Sequence, residues 1–182
     1  MRTLLPVMKP FIAFLLLAAA PAWSQVSPIP DIAQVAGLVV EGTNRFRHDH
    51  GLGPVEPERR LATAAREFAA YMAQTDRLDH TADGRQPWGR ARAQGYDYCL
   101  VAENIAYQFD SRGFATAQLA RELVSGWERS PGHRKNMLER EAVDTAVAVA
   151  RSPRTGRYYA VQMFGQPRVN GRCAGTRAPR AG

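Results

Sequence analysis

Thr145-Ala146-Val147-Ala148-Val149-Ala150, then Ser152-Pro153-Arg154-Thr155-Gly156, then Tyr158-Tyr159-Ala160-Val161-Gln162-Met163-Phe164: two apolar, β-branched and aromatic runs of strand length flank a turn containing Pro and Gly. They read as an antiparallel hairpin. Upstream the pattern is helical. Ile32, Val35, Val39, Thr43 and Phe46 recur at three- and four-residue steps, with Asp31 placed to cap the series and Gly51 and Gly53-Pro54 to end it. A second helix starts after Pro57, with Leu61, Ala65, Phe68 and Met72 on one stripe and Arg59, Arg60, Arg66 and Glu67 largely on the other. Pro87 to Arg92 reads as a short helix stopped by Gly95, and Tyr98 to Tyr107 as a strand or extended segment. Ala115 to Trp127 reads as a third long helix, with Leu119, Leu123 and Trp127 at four-residue spacing. Helices come first and strands mostly last. The alternating rhythm of a doubly wound sheet is missing, so the order specifies an α+β domain whose mainly antiparallel sheet is flanked by helices.

The ends of the chain stand apart from that pattern. Arg2 and Lys9 give a positive start, residues 11–20 form an apolar run, and Ala22-Trp23-Ser24 places small residues where a signal peptidase reads. Residues 1–24 are therefore expected to be a signal peptide, with 25–37 a leader running into the first helix. The run is shorter than the ~20 apolar residues of a membrane span and meets Pro21 at once. No later segment is apolar enough to cross a bilayer, so the expected product is secreted or periplasmic, without a stable span after cleavage. Residues 38–166 are expected to form one domain and 167–182 a tail rich in Arg, Gly, Pro and Ala, tethered by Cys173 and lacking order beyond it. A monomer is expected.

Cys99 and Cys173 are the only cysteines, and an exported chain meets conditions that favour their pairing. By chain entropy a loop of roughly 75 residues closed in this way contributes about 4 kcal/mol. A reactive thiol is the rival reading, which labelling of the native protein by a thiol reagent would support. The formal net charge of +7 is almost all arginine, since Lys9 and Lys135 are the only lysines. Those arginines are spread along the chain among acidic residues, with no basic strand interleaved with aromatics, which argues against a nucleic-acid partner.

Three short stretches hold the chemistry: Leu78-Asp79-His80, Glu103-Asn104-Ile105-Ala106, and Trp127 through Leu138. Each supplies a side chain able to titrate, hydrogen-bond or coordinate, as one convergent site requires. Ser130-Pro131 signals a fresh helix, with the Ser130 hydroxyl expected to cap it and His133 near its start. His48 and His50, at the charged end of the first helix, are expected to face solvent. Trp88, Tyr96 and Tyr98 are read as core or cleft lining, and Arg134 and Lys135 as a solvated face or ion pair.

With these stretches in their order and spacing, the sequence resembles the CAP superfamily of cysteine-rich secretory, antigen 5 and pathogenesis-related proteins, in its bacterial SCP-like branch. Further carriers are Asn44-Arg45-Phe46-Arg47, Gly51-Leu52-Gly53-Pro54-Val55, Leu61 with Ala64-Ala65, Gly95-Tyr96 and Tyr159 through Gly165. The resemblance implies an α-β-α sandwich and a cleft lined by two His and two acidic residues. The first His falls on His80, the first Glu on Glu103 and the second His on His133. The second Glu is absent: its position is Ser130, and Glu128 lies about 200° away on a helix. Ala146 also departs from the family pattern, standing where Gly is expected.

Two function classes follow. The one favoured is a binding module for a lipid, sterol-like or cell-envelope ligand in a cleft of His80, Glu103, Ser130 and His133, as the resemblance implies. The other is a metal-assisted hydrolase of peptide or cell-wall substrates, with Glu103 as general base and His80 and His133 holding an ion or water. No cofactor is required for the first; Zn²⁺ or another divalent cation is the candidate for the second. A structural role is the competing account of the same three residues, with His133 bonded to Glu103.

Overall fold

The computed structural model describes residues 29–175; the expected signal peptide and the last residues of the tail lie outside the described residues. Local chemistry sets the helix starts. Asp31 accepts the N–H of Gln34 at 3.1 Å and opens α1 (Ile32–Asp49), and Glu58 accepts that of Leu61 at 2.8 Å and opens α2 (Arg59–Thr75). Between them lies β1 (Glu56–Pro57). There follow α3 (Pro87–Ala93), β2 (Tyr98–Gln108), α4 (Thr116–Arg129), α5 (Pro131–Met137), β3 (Asp144–Arg151), β4 (Tyr158–Val169) and β5 (Arg172–Cys173).

The strands lie in the order β1-β3-β4-β2. β3, β4 and β2 are antiparallel, and β1 joins β3 in parallel through Glu56↔Asp144 and Pro57↔Thr145. The hairpin is as expected, but β4 runs beyond Phe164 to Val169. β5 then folds back, pairing Arg168 with Cys173. The stretch expected to start the tail is thus paired strand, held by the Cys99–Cys173 disulfide, whose Cα atoms are 5.7 Å apart.

Side-chain alternation along β4 builds a core on each face of the sheet. Tyr159, Val161 and Met163 meet Leu61, Ala65, Phe68 and Met72 of α2, while Tyr158, Ala160 and Phe164 meet Val35, Val39, Leu119, Leu123 and Trp127 of α1 and α4. This two-period alternation with both faces covered makes the three-layer α-β-α sandwich. Ala146 is buried in the α2-side core. Arg47, fully buried, donates to the carbonyls of Gly53, Met137, Glu139 and Ala142 at 2.8–3.3 Å, anchoring the end of α5 to α1. Burial pulls its guanidinium below the usual arginine range, opposed by the charge of Glu139.

Candidate functional site

β2 is one of the sheet's two edge strands, and its neighbouring residues Glu103 and Asn104 point to opposite faces. Glu103 faces the α2–α3 layer. Its side chain is 1% exposed and both carboxylate oxygens are taken: Oε1 by His80 Nδ1 at 2.8 Å, Oε2 by the Arg90 guanidinium at 2.7 Å. Arg90 is itself buried, lies 3.5 Å over the Phe68 ring, and also binds Asp83 at 2.9 Å and the carbonyls of Arg85 and His80. The two acids, two carbonyls and the ring together compensate a charge that burial would otherwise penalise.

Asn104 faces the other layer. Its Nδ2 donates to the His133 carbonyl at 3.2 Å, and Asn136 donates to both the Glu103 carbonyl (3.0 Å) and Asn104 Oδ1 (2.9 Å). The first Asn136 bond occupies an edge-strand carbonyl, and the three together sew α5 to β2. The loop before α3 and helix α5 therefore approach from either face and meet at the β2 edge.

His80 sits in a turn set by Asp79, whose carboxylate accepts the Thr81 N–H and hydroxyl at 2.7 and 2.8 Å and is held below the usual carboxylate range by them. A carboxylate only accepts, so His80 Nδ1 carries the proton, and in the neutral ring the lone pair stays on Nε2. The ring is 46% exposed. Half-buried His133 has its pKa lowered, first by desolvation and second by the charge of His80. His133 thus tends to be neutral near pH 7. It is brought toward the Glu103–His80 pair by α5, which Asn104 and Asn136 tie to β2.

The expected Ser130 capping bond is corrected. Ser130 ends α4 and precedes α5, but its hydroxyl makes no cap hydrogen bond. Its backbone does the work instead, the N–H bonding Trp127 O and the carbonyl taking the Arg134 N–H. Glu128 borders a hollow between α1 and α4. His48 and His50 are exposed, as expected, but His50 is engaged: its ring bonds the Phe46 carbonyl and receives Arg134, which also stacks on Phe46 at 4.8 Å. Tyr96 is core, donating to Asp144 at 2.9 Å, while Trp88 is exposed.

Arg90 and Asp83 were not legible as site residues, because a buried arginine looks in sequence like exposed Arg92. Asn104 and Asn136 lay inside the motif stretches and could have been read as the polar stitches they are. Among the described residues, no group of three or more His, Cys, Asp and Glu is placed to hold a metal ion. Glu103 is turned to Arg90, so the donors toward a cation reduce to His80 Nε2 and His133. Glu103 then stands behind His80, as carboxylates behind ligating histidines do.

The model of the cysteine-rich secretory protein (CAP) family matches residues 40–164. The chain belongs to this family. The CAP domain is 34% identical over 101 residues to the uncharacterized protein YkwD of Bacillus subtilis, covering 55% of this chain and 36% of YkwD. An outer surface protein of Borrelia burgdorferi has the same fold at TM-score 0.64 and 18% identity, over 75% of this chain and 96% of that one. An extracellular SCP-domain protein of Bacillus anthracis gives 0.61 at 22% identity, over 73% of this chain and 40% of its own. The CAP domain thus spans well under half the length of YkwD and the Bacillus anthracis protein. NaASP2, solved with Zn²⁺, shares the fold at TM-score 0.54 and 17% identity, covering 76% of this chain and 84% of its own.

Proposed function

We propose that this CAP domain is an exported binding module for a lipid or cell-envelope ligand, held at the β2 edge by His80 and His133, with Ser130 on the rim. The observation that carries this reading is Glu103. With both oxygens bonded and its side chain out of water, it orients His80 rather than moving protons. A ligand would meet the half-exposed His80 ring, oriented from behind by Glu103, and the imidazole of His133. A separate hollow of about 530 Å³ between α1 and α4, with Leu38, Gly42, Ala120 and Val124 in its wall and Arg45, Arg121, Glu122 and Glu128 also lining it, has room for an acyl chain. Organic extraction of the purified protein followed by mass spectrometry should recover a lipid; an empty extract overturns the lipid reading.

The hydrolase reading keeps one support, the carboxylate–imidazole pair, which resembles a base with its orienting acid. The base would then be His80 Nε2 instead of Glu103. In a metal-assisted version His80 Nε2 and His133 would instead be ligands to Zn²⁺, which would supply a Lewis acid or an activated water, and His80 would then not be the base. A peptide and muropeptide screen with added Zn²⁺, run beside His80→Ala and His133→Ala, decides: turnover lost in both variants establishes the enzyme, and identical blanks remove it. Calorimetry on the metal-free protein tests the ion separately, micromolar heat of Zn²⁺ binding being expected only if both imidazoles ligate.

A further inference from the structure

We propose that the β3–β4 hairpin end of the sheet docks on an anionic phospholipid surface. Two of the large exposed apolar side chains stand together there, at and just past the end of β2: Tyr107 at 42% and Phe109 at 56% exposure. Guanidinium groups surround them. Arg157 lies 4.7 Å from the Tyr107 ring centroid and Arg151 5.8 Å from that of Tyr158. Arg151 and Phe109 both rest against Gly156, where φ is +72° and an added Cβ would lie 3.3 Å from Arg151 Nη2 and 3.7 Å from Phe109. A side chain at 156 would push both away.

The charges in this patch are not all compensated. Arg154 pairs with Asp76 at 2.7 Å. Arg151 and Arg157 lie over rings and make no ion pair among the described residues. The hairpin is also preset: Ser152 Oγ accepts the N–H groups of Arg154 and Thr155, and the Thr155 hydroxyl binds Asp76 at 2.6 Å. Docking therefore orders little that is loose.

Charge complementarity names the partner. A guanidinium pairs bidentately with a phosphodiester, and aromatic rings settle at the boundary between headgroups and acyl chains. Phe109 has no polar atom to offer a sugar hydroxyl, which favours a bilayer over an anionic polysaccharide. The net charge, +7 for the full sequence and +5 once Arg2 and Lys9 of the expected signal peptide are gone, adds long-range attraction. The proposal does not depend on the reading of the His80 site.

The test is co-sedimentation of the purified protein with vesicles of equal phosphatidylglycerol and phosphatidylcholine, against phosphatidylcholine alone. Binding should require the anionic lipid and weaken with salt. Arginine near such a surface contributes roughly fivefold each, so Arg151→Gln/Arg157→Gln should bind about 25-fold more weakly. Phe109→Ser should lose about tenfold. Arg129→Gln/Arg140→Gln, exposed elsewhere with the same change in charge, should keep wild-type binding; thermal melts check that each variant folds, and Phe109→Ser carries the test if the double variant does not. Equal losses in both arginine pairs, no vesicle binding, or equal binding to phosphatidylcholine alone would each overturn the proposal.

Discussion

Arg90 is the residue on which the site's geometry turns, because it is the buried cation between two buried carboxylates. Arg90→Ala leaves Glu103 to His80 and Asp83 to Arg85 but removes the buried cation they share, and breaking a buried pair from one side costs about 3–5 kcal/mol. The urea midpoint should drop accordingly, and the His80 ring resonances should broaden as its orienting acid is freed. His133 gives a pH signature. Its folded pKa lies below the ordinary value of about 6.5, so as pH falls through the interval between the two, the unfolded chain binds protons that the folded chain refuses. Stability should therefore fall on acidification below about 6.5 and be flat above it as far as this group is concerned. A histidine NMR titration should place the His133 midpoint below the ordinary value, and His133→Asn should remove that part of the slope; a midpoint at or above 6.5 would refute the assignment.

Among the elements, the crossing of β4 with the segment before β2 tolerates no extra atom. A Cβ at Gly165 would lie 2.7 Å from Tyr96 Cζ, and Tyr96 cannot retreat without giving up its bond to Asp144. Burial and that bond also push the Tyr96 phenol far above its ordinary range. Gly165→Ala should destabilise by about 1–3 kcal/mol from overpacking, with more from the lost hydrogen bond. Gly165→Ala with Tyr96→Phe should recover little, because the ring carbons clash as well as the hydroxyl; full recovery in a double-mutant cycle would show that the hydroxyl alone is at fault. Helix α5 shows the same dependence on neighbours. Too short to be stable alone, it is held by Arg47 at its end and by Asn104 and Asn136 along its side.

For the whole molecule, the Cys99–Cys173 bridge spans a separation of 74 residues, and opening it should cost about 4 kcal/mol by chain entropy. Reductant should lower the melting temperature without abolishing the fold, since the α2-side and α1–α4-side cores are each packed independently of the bridge; a melt insensitive to reductant would mean that β5 adds nothing. The fold was largely legible in the sequence: the Leu61–Met72 stripe, the hairpin at Ser152–Gly156 and the cap at Asp31 each act within a few residues of chain, and local periodicity records such preferences. The two-residue β1 and the extension of β4 past Phe164 escaped, because both depend on partners distant along the chain, Asp144 for β1 and Tyr98 to Val101 of β2 for β4. His80, Glu103 and His133 could be named from motif order, and the pairing of Cys99 with Cys173 from their number. What tertiary structure alone decided was direction: Glu103 toward Arg90 and Asn104 toward α5, from adjacent positions on one edge strand. A linear pattern says which side chains exist, whereas the energy that fixes their roles comes from charges and carbonyls brought to 2.7–3.0 Å by packing of both layers against the sheet.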